Sequence, residues 1–114
     1  MPTTLPYPEH QIFLALCDHL TKRGFVLESV EDEAARLKVS TPAEAETLIT
    51  DLDEATLWLE HPATPGRRYV IFLVPGNGTE LVSDYSYPPV EKDPQGWSQS
   101  MDEFLDWITA TFPE

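Results

Sequence analysis

Four side chains of this 114-residue chain could ligate a transition metal or pair as nucleophile and base: His10, Cys17, His19 and His61. Their spacing does not assemble them. Cys17 and His19 are two apart, and on a helix such positions face different directions. The chain has no Cys-x-x-Cys and no His-x-x-x-His, the spacings that converge on a metal. Cys17 therefore reads as a small core residue, and no metal or cofactor is expected. A lone cysteine forms no internal disulfide, which fits a reducing compartment and a cytoplasmic location.

The carboxylates offer two further clusters. Asp51-Leu-Asp53-Glu54 gathers three acids that could hold a hard cation, but it lacks the glycine and the distal glutamate of a calcium loop. It reads as a solvated helix end. Asp84 and Tyr85 could act as an acid or base beside a hydroxyl donor, although no histidine is near them in sequence. The plainer role for Asp84 is to cap a turn or to pair with Arg67 or Arg68. Pro75-Gly-Asn-Gly78 is glycine-rich but lacks the lysine and the strand-to-helix setting of a phosphate loop. No Ser-x-x-Lys or Gly-x-Ser-x-Gly is present. The residues lean away from catalysis, and a small enzyme using Asp84, Tyr85 and a histidine stands as the alternative.

Charge says more. Twenty Asp and Glu oppose seven Lys and Arg, a net charge of −13. Ten of the acids fall between Glu28 and Glu60, with only Arg36 and Lys38 against them. Such a surface repels phosphate backbones and anionic lipid headgroups, so neither nucleic acid nor membrane is an expected partner. A protein with a basic surface is. The expected contact residues are Glu44, Glu46, Asp51 and Asp53, with Trp58 as an aromatic anchor. The competing reading is that acidity only keeps a small protein soluble. Self-association through a sheet edge or face is a third possibility.

Those residues need a frame. Length sets one domain over residues 1–114, and an apolar content of 41% with 11% aromatic is enough to fill one core. Residues 1–8 are a Pro-rich, extended lead-in with no secretory signal pattern. A helix is expected over residues 8–23, with Ile12, Leu16 and Leu20 on one stripe and Gly24 at its C-terminal cap. Residues 25–40 can be a hairpin turned at 31–33 or a strand with a short helix over 31–38; local pattern alone does not decide, and the hairpin is favoured. Thr41, Pro42 and Glu44 open a helix with a capping box and proline at its first position. It should end near Asp53. Residues 56–60 are a strand. Residues 69–74 form an uncharged apolar run of six, too short to span a membrane and suited to a strand covered by helices. Pro75 ends that strand, Asn77-Gly78 suggests a type I′ turn, and residues 79–86 return antiparallel. Residues 87–97 are a loop. Ser100 and Glu103 suggest a second capping box for a helix over 101–111.

The resulting order is α-β-β-α-β-β-β-α. It predicts an α+β domain with a mainly antiparallel sheet of about five strands and two or three helices packed mostly on one face.

Three strings carry a resemblance: Ser40-Thr-Pro-Ala-Glu44, Asp53-Glu-Ala-Thr-Leu-Trp-Leu59, and Gly76-Asn-Gly78 followed by Val82-Ser-Asp-Tyr-Ser86. In that order, over residues 24–86, they resemble small uncharacterised proteins of bacteriophages and prophages. The resemblance implies a hairpin-rich fold and a phage-type origin, and it implies no activity. Residues 34–49, with two strands after them, also look like a winged helix-turn-helix. Its reading helix would be residues 42–53, which hold four acids and no Lys or Arg. DNA would repel it.

Overall fold

The computed structural model describes residues 4–86 and 96–112. Helix α1 (Glu9–Thr21) buries Ile12, Phe13, Leu16, Cys17 and Leu20 along the stripe that their spacing sets. Its end is fixed by Gly24 at φ +91°. There Phe25 N–H donates to the Leu20 carbonyl (3.1 Å) and Gly24 N–H to that of Thr21 (3.0 Å), the paired bonds of a Schellman ending. A Cβ on Gly24 would stand 2.6 Å from His61 Nε2, so any other residue would strain the backbone and displace the His61 ring.

Residues 25–40 form the hairpin, β1 (Val26–Glu31) and β2 (Arg36–Lys38). The Asp32 carboxylate fixes the turn by accepting the N–H groups of Ala34 (2.7 Å) and Ala35 (2.8 Å). A strand at Arg36–Lys38 removes the first helix that a helix-turn-helix requires. Helix α2 (Pro42–Ile49) opens as its sequence dictates. Thr41 Oγ1 accepts from Glu44 N–H (3.2 Å), and Glu44 Oε1 accepts from Ser40 N–H (3.2 Å). It stops at Ile49, four residues short of Asp53. The Thr50 hydroxyl bonds back to the Glu46 carbonyl (2.6 Å), and the aspartates beyond favour turns over helix.

Strands β3 (Ala55–Glu60), β4 (Tyr69–Leu73) and β5 (Val82–Ser86) complete a five-stranded sheet in the order β2-β1-β3-β4-β5. Every neighbouring pair is antiparallel. Helix α3 (Trp97–Thr111) and the first two helices share one core with the inner face of the sheet. Leu57, Leu59, Ile71 and Leu73 point into it. At its centre the rings of Phe25, Tyr69 and Trp97 meet with centroids 5.0–5.1 Å apart, near the optimum for edge and tilted contacts. Burial, with the Glu46 carboxylate adding to it, pushes the Cys17 thiol up to about 12. The thiolate that reactive chemistry needs is therefore absent at neutral pH. Among the described residues no helix is long and apolar enough to cross a membrane.

Three further local expectations are corrected. The Asn77-Gly78 turn is not type I′, since Asn77 has φ −99°, and a single 3₁₀ turn at Gly78–Glu80 precedes β5. The cause is Glu9 at the start of α1, whose buried carboxylate takes Gly76 N–H (3.0 Å) and Gly78 N–H (2.7 Å). Helix α3 begins at Trp97 behind Gly96, not at Met101. Burial of Trp97 starts the helix a turn early and leaves Ser100 buried inside it. The lead-in is not simply extended, because it turns at residues 7–8 and buries Leu5. The loop expected over residues 87–97 falls mostly outside the described residues.

Candidate functional site

Alternation along the strands sends a second set of side chains to the outer face of the sheet. In β3 these are Thr56, Trp58 and Glu60, set between the buried Ala55, Leu57 and Leu59. The register places Glu31 opposite Thr56 and Ser29 opposite Trp58 on one side of β3. On the other side Phe72 is opposite Thr56 and Val70 opposite Trp58. Arg36 and Lys38 extend the two rows onto β2, and Asp84 and Ser86 onto β5. All three helices pack on the opposite face.

Two arginines are held on this outer face. The Arg36 guanidinium lies 4.7 Å from the centroid of the Trp58 ring, whose Nε1–H donates to Glu31 (2.8 Å). Arg68 sits between two acids, its Nε against Glu28 Oε2 and its Nη1 3.4 Å from Glu60 Oε1. The Arg68–Glu28 contact is an ion pair only, for that oxygen receives no hydrogen bond. Burial raises the Glu28 carboxyl above the ordinary carboxylate value. The neighbouring Glu60 carboxyl adds to the shift, while Arg68 and Arg36 oppose it. Its contribution to stability is full at low pH and is lost as pH rises through that raised value.

The end of the sheet where β1 turns into β2 and α2 leads into β3 is different. An open depression there is lined by Asp32, Glu33, Asp51, Asp53 and Glu54, with no lysine or arginine. Glu33, Asp51, Asp53 and Glu54 are exposed and form no hydrogen bond or ion pair among the described residues. Asp32 alone is engaged. The N–H groups of Ala35 and Ala34 hold its carboxyl below the ordinary value, so its support of the turn is present above that value and is lost as pH falls through the lowered one. No set of three potential ligands among the described residues is arranged to hold a metal ion.

The residues expected to form a binding surface divide. Asp51 and Asp53 lie in the depression. Glu44 is exposed but stands at the other end of α2, about 10 Å away along an eight-residue helix, with its carboxylate used in the cap. Glu46 is buried and does not reach the surface. It takes Leu5 N–H (2.9 Å) and His10 Nδ1 (2.6 Å), which ties the lead-in to α2. Trp58 is half-buried under Arg36. The expected contact residues left out Glu33 and Glu54, which were counted only among the acids of residues 28–60, and Phe72 beside them; the alternation of β3 and the hairpin turn at 31–33 carried the signal.

Asp84, Tyr85 and the histidines do not meet. Asp84 is on the outer face opposite Phe72, its Oδ1 accepts the N–H of Tyr85 (2.8 Å), and neither Arg67 nor Arg68 pairs with it. The Tyr85 hydroxyl donates to Asp102 (2.6 Å) on α3. His61 Nδ1 accepts Ala63 N–H (3.0 Å), which leaves Nε2–H to donate to the Arg23 carbonyl (3.0 Å). His19 Nε2 donates to the Ser100 carbonyl (2.7 Å). Each ring is bound into the framework. No protein-family model matches this chain, and neither does any curated protein or solved structure.

Proposed function

We propose that this protein is a non-catalytic interaction module that captures a basic surface of a partner protein through its acidic end. One observation carries the reading: five carboxylates from two separate loops share one open depression with no cation among its lining residues. Like charges held together raise the energy of the free protein, and a cationic partner relieves that repulsion. The same field speeds encounter and rejects anionic partners, including nucleic acid. The depression is open and its acids are solvated, which suits contact with a protein surface. The partner could itself be a nucleic-acid-binding protein, with carboxylates standing in for phosphates.

The resemblance to phage and prophage proteins directs the search to bacterial lysate. Tagged protein used as bait should retain a basic protein at low salt and shed it at several-fold higher salt, where the screening length shortens from about 10 Å toward 3 Å. Retention that survives the high-salt wash, or retention of nothing in either wash, would count against the proposal.

A further inference from the structure

We propose that the hollow beside Phe72 seats an arginine side chain of that partner. The inference rests on the reading above and names the residue type that the surface selects. The outer face already holds two guanidinium groups of its own chain, Arg36 on Trp58 beside Glu31 and Arg68 between Glu28 and Glu60. A third setting of the same chemistry has no cation in its lining. Phe72 is 38% exposed and stands between Thr56 and Asp84 of the neighbouring strands. Glu31, Glu33 and Glu54 border the same hollow of about 320 Å³. Glu33 and Glu54 form no hydrogen bond or ion pair among the described residues.

A planar guanidinium can stack on the Phe72 ring and present two N–H donors to a carboxylate at the rim. Its weak hydration lowers the cost of leaving water. A lysine ammonium is a strongly hydrated point charge, so it would reach the acids without using the ring as well. A partner segment with one arginine placed over Phe72 fits both the charge and the shape of the hollow.

The test uses the whole purified protein and three blocked peptides that differ only in carrying arginine, lysine or citrulline. Amide spectra are followed during titration at low salt. The arginine peptide should move the signals of Glu54, Thr56 and Phe72 first. The lysine peptide should bind about two- to fivefold more weakly, the loss of one cation–π contact, and citrulline should not bind. Phe72→Ala should cost the arginine peptide a similar factor and leave the lysine peptide unchanged, and Glu54→Gln should weaken both. Dispersed spectra of each variant establish that it is folded. Equal binding of arginine and lysine peptides, indifferent to Phe72→Ala, would overturn the inference while leaving the acidic-end reading intact. Arginine binding at Phe72 by a protein that captures no basic partner would do the reverse.

Discussion

Replacing Glu9 with alanine is expected to destabilise the fold by about 2–3 kcal/mol, from the loss of charge-assisted hydrogen bonds to two backbone donors. The side chain is 2% exposed, and its oxygens lie 3.0 Å from Gly76 N and 2.7 Å from Gly78 N. Without the carboxylate those N–H groups turn to water and a small cavity opens under α1. The thermal midpoint should fall by roughly 10 °C for a domain of this size. Glu9→Gln keeps an acceptor oxygen but not the charge, so it should lose about half as much. Paired urea and thermal unfolding curves read both values, and a loss for Glu9→Ala below about 1 kcal/mol would contradict the account. The consequence reaches the proposed binding surface, because Val74 and Pro75 at the start of this loop line the acidic depression.

Glu46→Ala should be of similar severity, about 2–4 kcal/mol, whereas Glu44→Ala should cost about 1 kcal/mol. The two glutamates are two positions apart and carry the same charge. Glu46 is 2% exposed and holds Leu5 N–H and His10, so its removal leaves a buried donor unpaired and frees the lead-in from α2. Glu44 is exposed and its carboxylate serves only the first turn of its helix. Urea denaturation of the two variants side by side should separate them clearly. Equal, small losses would mean that the pairing of Glu46 with the lead-in contributes little.

The parts of the fold that rest on local pattern were legible in the sequence. The α1 stripe, the capping box at Thr41 and the apolar run of β4 each follow from period, cap chemistry or burial, and they appear where expected. What failed depended on long-range contacts. Nothing near Asn77 says that Glu9, some seventy positions away, will claim the loop's N–H groups. Nothing near Ser100 says that Trp97 will be needed at the centre of the core. The acidic surface was legible only as charge. Helical spacing put Glu44 and Glu46 on α2 but did not assign Glu46 to the core, because its partners Leu5 and His10 come from another element. The grouping of Asp51, Asp53 and Glu54 with Asp32 and Glu33 required the β1–β3 pairing, which is a matter of strand order.

The acidic end is the proposed working surface. The most direct measurement compares the wild-type chain with a variant carrying Glu33→Gln, Asp51→Asn, Asp53→Asn and Glu54→Gln, using the same basic partner at low salt. All four side chains are exposed and unpaired among the described residues, so the variant should fold with unchanged or slightly higher stability as repulsion is relieved. Its affinity should drop at least tenfold, about 1.4 kcal/mol, and the salt dependence should flatten. An unchanged affinity in a folded variant would contradict this assignment and reduce the acidity to a means of staying soluble.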